Sequence, residues 1–455
     1  EIRKILKKFN FKIKFINHAF IKIETSSFSF ATDPWAIGPA FNNGWWLKKN
    51  TRVDWLDEID KVNFIYISHN HPDHLHPLTL SKINKNKVLL VPKFQSKSTA
   101  NFISSLGFKN IFKAEFNSEY KLKNHDFYFS LFKSGNFKDD SGIYFSLGNF
   151  TSLIDVDSQN INFDRLPNVD LYGSSFGGGA RGYPWMFQNY KTDEQIVIND
   201  RSQKFFMKRK IENIKKMKPK FFLPYASYFE EKLPRDKRIK FLNKKINIDE
   251  YKKRADKLKI TVLNTEEYDE FDFKGNKLIN FQNSNKKKYN DLDPTTYLNY
   301  FKKNYSEIDR VYIKNYFENS KFNEKFNLYV DITDDNFKEN FYSFLVIFGP
   351  KSIKFKDNIG DIKSHKKINL NNFMKLKVRK ESFLYTVQNK TPWEDLQIGF
   401  QCKIKSNPEY NFNFWYHFTN IYIRNKYFRD TENCASCDKL NFYIDKNLSE
   451  ESNLV

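Results

Sequence analysis

Four of the chain's eight histidines fall in the run His69-Asn70-His71-Pro72-Asp73-His74-Leu75-His76, directly after the apolar stretch Phe64-Ile65-Tyr66-Ile67. A short aromatic and β-branched stretch of this kind, closed by Ser68, predicts a buried strand. The fold must therefore end a core strand in a turn that gathers imidazole and carboxylate groups. Such a turn can direct His69 and His71 toward one metal ion and Asp73 and His74 toward a second. Neutral imidazole and carboxylate are the ligands that zinc, iron or manganese take from a protein. Two ions about 3.5–4 Å apart can share a bridging water, lower its pKa and clamp a reacting oxygen. Iron in the same ligand set leaves positions open for dioxygen. His76 is expected to point away. A His-rich surface loop is the competing account, and the buried strand in front of the run argues against it.

The neighbouring segments set the architecture. Phe11–Asn17, Phe20–Glu24 and Phe28–Asp33 read as strands rich in Ile and Phe. Leu78–Ile83 reads as a helix and Val88–Val91 as the next strand, with more strands at Phe127–Phe132, Gly142–Leu147 and Phe150–Val156. Ser202–Lys218 is a basic amphipathic helix stopped by Pro219. This order predicts an α/β protein in which helices flank two sheets, an αββα sandwich. At 455 residues the chain exceeds the usual single-domain size. We expect a metal-bearing domain at residues 1–282, a solvated lysine-rich linker at 283–290, and a smaller α+β C-terminal domain at 291–455.

Composition narrows the partners. Lys and Arg number 76 against 54 Asp and Glu, a formal charge of +22. The lysines are spread along the chain and no nucleic-acid-binding signature accompanies them, so nucleic acid is not an expected partner. A basic surface does favour a small anionic substrate. No apolar run approaches the roughly 18 residues of a membrane span. The three cysteines, Cys402, Cys434 and Cys437, all lie late in the chain, which fits a reducing cytoplasm better than a disulfide scaffold. Cys434-Ala-Ser-Cys437 has CxxC spacing with no second ligand pair near it.

Further site residues are sought at strand ends. Asp157 closes the strand Phe150–Val156 and is expected to bridge the metals, the alternative being an Asp that starts a turn. Asp73 and Asp157 are thus the candidate catalytic carboxylates. In Phe176-Gly177-Gly178-Gly179-Ala180-Arg181, the backbone at Gly178 and Gly179 could approach an anion, and Arg181 could pair with phosphate or carboxylate. Trp45 and Trp46 could stack on a base or sugar, or could be core. Tyr225 joins them as a candidate substrate contact. His18 reads as a hydrogen-bonded packing residue, and His417, amid Phe and Trp, as a buried histidine.

The HxHxDH run is the signature of the metallo-β-lactamase superfamily, and its surroundings are more specific. Thr32-Asp33-Pro34-Trp35, Gly38-Pro39-Ala40-Phe41, Gly44-Trp45-Trp46 and Asp54-Trp55-Leu56 lead into Tyr66-Ile67-Ser68-His69. With Phe176–Pro184, Pro224–Phe229, Ile398-Gly399-Phe400-Gln401 and Phe414–Phe418, this ordered series resembles the catalytic region of the CMP-N-acetylneuraminate hydroxylase family from about Phe11 to Phe418. The resemblance implies an iron-dependent oxygenase acting on a nucleotide sugar or similar amide-bearing substrate. Asn136 stands about where the fold supplies a third metal-binding His, so it enters the ligand set as a weak member. Family enzymes carry a Rieske domain whose cluster takes two Cys and two His. No cysteine precedes Cys402 here, so electrons are expected from an external ferredoxin- or Rieske-type donor.

Three readings follow. The first is a non-haem iron oxygenase, with two irons and with zinc or manganese as the other candidate metals. The second is a metal-dependent hydrolase of lactonase or phosphodiesterase type, and the third a non-catalytic clamp that partners a Rieske-bearing subunit.

Overall fold

The computed structural model describes residues 9–94, 96–134, 139–158, 160–161, 163, 166–357, 371–420 and 450–452. Asn136, His365 and the Cys434/Cys437 pair lie outside the described residues.

Two eight-stranded sheets face one another. The first runs, in spatial order, Lys277–Gln282, Glu270–Lys274, Asn10–Asn17, Phe20–Thr25, Ser29–Thr32, Phe64–Tyr66, Val88–Pro92 and Ile111–Ala114. The second runs Thr261–Val262, Phe221–Tyr225, Leu171–Ser175, Phe150–Val156, Ser141–Leu147, Phe127–Lys133, Tyr120–Leu122 and Glu450–Ser452. Alternation builds the layer between them. Phe11, Ile13 and Phe15 enter it from one strand, and Phe127, Phe129 and Leu131 enter from a strand of the other sheet. Phe30 stacks on Phe64 at 5.1 Å and meets Phe145 of the opposite sheet edge-on at 5.2 Å.

Helices cover both outer faces. Trp55, Ile59, Leu80, Ala100 and Ile103, from the helices Trp55–Asp60, Pro77–Lys82 and Ser98–Ser105, pack on the first sheet. Met207, Ile214, Met217, Tyr251 and Ala255, from Thr192–Met217 and Ile248–Leu258, pack on the second. The αββα sandwich is therefore present. The basic helix starts ten residues earlier than Ser202, because Asp193 and Glu194 favour its first turn and the Glu194 carboxylate accepts from the Lys191 N–H at 2.7 Å. Periodicity missed that extension because Ile196 and Val197 face solvent.

Strand direction positions the site. Phe64–Tyr66 pairs parallel with both neighbours and is apolar on both faces, as a parallel strand between two covered layers must be. In the second sheet Phe150–Val156, Leu171–Ser175 and Phe221–Tyr225 also run parallel. Their carboxyl ends, carrying Asp157, Phe176 and Ala226, lie at the same rim as the end of Phe64–Tyr66. Open α/β sheets bind ligands at that rim.

Beyond the sandwich, Ile353–Asp357, Asn340–Phe348, Phe326–Thr333, Phe373–Arg379 and Cys402–Asn407 form a five-stranded mixed sheet with its own helices. The sequence before it is tied to the sandwich: Lys288 bridges Arg52, and the Tyr289 N–H donates to Thr51 O at 2.7 Å. One apolar cluster runs from Trp393, Phe400 and Phe414 of the later part to Trp35, Phe41, Trp45 and Phe229 of the sandwich.

His417 is buried in this cluster, its Nε2 donating to Ser320 O at 2.7 Å. Burial lowers its pKa from 6.5 to about 4. An unfolded His417 protonates near 6.5, so stability is fully present above that pH and is lost as pH falls toward 4. We expect roughly 3 kcal/mol of acid destabilisation from this residue. Denaturation midpoints at pH 7 and pH 4 check it, and His417→Gln should show the smaller difference.

Candidate metal centre

The run His69–His74 leaves its strand through a tight turn, with the His74 and Leu75 N–H groups donating to His71 O at 3.0 and 2.8 Å. That turn divides the run's side chains between two clusters able to hold an ion: His69, His71 and Asp157 in one, His18, Asp73 and His74 in the other. In the first, His69 Nε2 and His71 Nδ1 are 2.9 Å apart. In the second, His18 Nε2 lies 3.0 Å from Asp73 Oδ2 and His74 Nε2 lies 3.2 Å from the same oxygen. His74 Nε2 is also 3.5 Å from Asp157 Oδ2, which links the clusters across the two sheets.

The buried carboxylate Asp33 organises the second cluster. Its Oδ1 accepts from Ser68 N at 2.7 Å and its Oδ2 accepts from Ser68 Oγ at 2.7 Å. The same Oδ2 takes His74 Nδ1 at 3.1 Å, which turns Nε2 toward Asp73 and Asp157. His76 does turn away. It caps the next helix through Nδ1 to Thr79 N at 3.1 Å, and its Nε2 donates to Pro39 O at 3.0 Å.

The electrostatics suit a cation. Burial alone would lower His74, but Asp73, Asp157 and Asp33 lift it well above the usual imidazole range. Burial would raise Asp73, yet His74 and His18 hold it well below the usual carboxylate range. Asp140 is pushed up to about 7 by burial and then by the charge of Asp157, and its Oδ1 stands 3.6 Å from His69 Nδ1. Asp73 Oδ1, His74 Nε2 and His18 Nδ1 are buried without a hydrogen-bond partner. Orphaned buried donors and acceptors are costly. Converging imidazoles and surplus carboxylates are a donor set that divalent zinc, iron or manganese fits.

Four residues at the same rim hold a left-handed backbone. His18, Asp33, Val156 and Ala226 have φ of 41°, 37°, 53° and 55°. For side-chain-bearing residues each such conformation costs about 1 kcal/mol or more and persists where packing over-determines it. Val156 is β-branched and immediately precedes Asp157; its turn aims that carboxylate back across the sheets.

A cavity of about 250 Å³ opens on the clusters, lined by His71, Asp73, Asp140 and Asp157 on one side and by Arg181, Arg209, Trp45, Phe229 and Ile398 on others. Of the candidate substrate contacts, Trp45, Gly178 and Arg181 line it. Trp46 does not, because successive strand side chains point to opposite faces; it packs with Leu233, Leu298 and Tyr297. Gly179 turns its carbonyl to Asn243 Nδ2 at 2.9 Å. Tyr225 is fully buried behind the wall, its hydroxyl without a partner.

His18, Asp33, Asp140, Arg209 and Glu394 were not singled out as site residues by sequence. Asp33 at a strand end within Thr32-Asp33-Pro34-Trp35 was the available signal. His18 is hydrogen-bonded, as its sequence context suggested, but its partner is Asp73 inside a metal-competent cluster.

Facing sheets, outer helices and an HxHxDH run at the end of an inner parallel strand define a metallo-β-lactamase-fold protein. The chain is similar, more particularly, to cytidine monophosphate-N-acetylneuraminic acid hydroxylases. It is 32% identical to that of Asterias rubens over 246 residues, which are 52% of this chain and 38% of that protein. It is 28% identical to that of Mus musculus over 435 residues, 90% of this chain and 73% of that protein. Against the Sus scrofa protein it is 28% identical over 433 residues, 88% and 95% of the two chains. The chain thus spans well under half the length of the Asterias relative. No family model matches it. Similar solved structures include CmlA, a diiron beta-hydroxylase from Streptomyces venezuelae, at 15% identity and TM-score 0.33 over 48% of this chain and 45% of that one. The metallo-beta-lactamase fold protein YhfI from Bacillus subtilis gives 11% and 0.33 over 56% and 95%. At these scores neither bears on the chemistry. Among the described residues no helix is long and apolar enough to cross a membrane.

Proposed function

We propose that the chain is an oxidoreductase, a di-iron hydroxylase acting on a nucleotide-sugar-like, amide-bearing anionic substrate. The observation that carries this reading is one cavity onto which two ligand-competent clusters and two guanidinium groups open together. The hydroxylases to which the chain is similar supply the reaction class. His69, His71 and Asp157 would hold one ion and His18, Asp73 and His74 the other, with Asp140 adding a carboxylate beside His69. Iron held there would supply dioxygen activation.

The chain's own groups do the rest. Arg181 and Arg209 bind and orient the anionic part of the substrate, and an anion between the two relieves the repulsion between their charges. Trp45, held flat against Phe229 at 3.5 Å, gives the cavity a rigid aromatic wall. Phe41 and Ile398 exclude water from the reacting end. The basic chain suits an acidic ferredoxin-like protein as electron donor.

Arg181→Ala is expected to weaken binding of a CMP-linked sialic acid by roughly 10- to 100-fold, the cost of a lost charged hydrogen bond. Calorimetry on the metal-loaded protein checks it. The reading as a whole is tested by single turnover. Chemically reduced, iron-loaded protein should consume oxygen only when the substrate is present and should yield the hydroxylated sugar. Zinc-loaded protein that turns over a lactone or phosphodiester without oxygen or reductant would show a hydrolase instead.

A further inference from the structure

The five-stranded part of the chain reaches the metal cluster through one side chain. Glu394 Oε1 lies 3.1 Å from His71 Nε2, 323 residues away in sequence. A carboxylate accepts only from a protonated ring nitrogen, so this contact places the His71 proton on Nε2. The bare nitrogen is then Nδ1, the atom that stands 2.9 Å from His69 Nε2 within the cluster completed by Asp157. The arrangement repeats, from a different part of the chain, what Asp33 does for His74.

Glu394 is held firmly. Trp393 beside it is fully buried and donates through Nε1 to Tyr316 Oη at 2.7 Å, and the Glu394 N–H donates to Thr419 Oγ1 at 3.3 Å. The turn that follows is pressed backbone to backbone against the sandwich. A Cβ on Gly44 would collide with the Gly399 carbonyl, one on Gly399 with the Phe41 carbonyl, and one on Gly182 with the Gln397 carbonyl. Trp45 Nε1 donates to Ile398 O at 2.9 Å across the same contact. Three positions without side chains let residues 394–399 seat at one depth, and that depth sets the reach of Glu394.

We infer that Glu394 is a positioning residue for the metal centre: it fixes the tautomer and ring orientation of His71, so that the later part of the chain completes a site whose ligands all lie in the sandwich. The inference rests on the metal reading above. Groups that orient a metal-binding histidine typically contribute 10- to 100-fold in metal affinity.

Cobalt(II) titration of the full chain, read by visible absorption and by bound metal per chain, tests it. Wild type is expected to take up two ions. Glu394→Ala should weaken one of them by about 10- to 100-fold and leave the other unchanged, with the same metal-free melting temperature. Glu394→Gln, whose amide oxygen still accepts from Nε2–H, should fall between the two. Two ions of wild-type affinity in Glu394→Ala would overturn the inference, as would equal weakening of both ions or a Gln variant no better than Ala. Wild-type protein that binds no cobalt would refute the metal reading itself, a result distinct from these.

Discussion

His71→Ala is expected to abolish turnover, by on the order of 10³-fold or more, while leaving the sandwich folded. An ion that stabilises developing charge contributes several kcal/mol to a transition state, and losing its seat forfeits that contribution. Folding does not share the loss. His71 lies at the rim with its side chain partly accessible, whereas the layer between the sheets is built from Phe30, Phe64, Phe127 and Phe145. Far-UV circular dichroism, melting temperature and metal content measured on one sample separate the two outcomes. A His71→Ala protein that fails to fold would show that the residue is structural. A folded variant with full activity would remove the cluster from the chemistry.

The largest stability effect is expected at the contact between the sandwich and the later part of the chain. Arg379 is 2% exposed; its Nη1 donates to Asp236 Oδ1 at 2.8 Å and its Nε to Asp335 O at 3.0 Å. Arg235, its side chain 3% exposed, donates to Asp335 Oδ1 at 2.8 Å and to Glu381 Oε1 at 2.5 Å. Removing one partner of a buried pair leaves an uncompensated charge, which costs about 3–5 kcal/mol. Arg379→Met therefore should lower stability by that amount, because Asp236 stays buried and Arg235 Nε reaches its carboxylate only at 3.9 Å. Denaturation monitored by hydrogen exchange in Phe373–Arg379 and in Pro234–Asp236 reads the effect where it arises. Adding Asp236→Asn should restore part of the loss, since the double variant no longer buries the orphaned carboxylate. A single variant as stable as wild type would mean that water reaches this network.

The Arg379 network and the Glu394 contact lie on the same seam. The charged network holds the later part of the chain against the sandwich, and the glycine contacts set how deeply residues 394–399 enter. Mutations at the seam are thus expected to reach the metal cluster without touching a ligand.

What the sequence determined by itself was whatever is local. The apolar stretch before His69 had to be a buried strand, and ligand-type residues packed into six positions had to share its rim. Apolar residues at alternate positions, Phe11, Ile13 and Phe15 in one strand and Phe127, Phe129 and Leu131 in the other, prescribed the face each strand turns inward. Asp157 could be found because it closes an apolar strand. Only the tertiary structure decided the remainder, because pairing between distant residues leaves no local periodicity. His18 is separated from Asp73 by 55 positions and Glu394 from His71 by 323. Trp45 and Trp46 are adjacent and chemically equal in sequence, yet one lines the cavity and the other packs with Tyr297. The pleat sends them to opposite faces, and which face meets the cavity depends on where the pairing of Trp46–Leu47 with Phe229–Glu230 anchors that short strand.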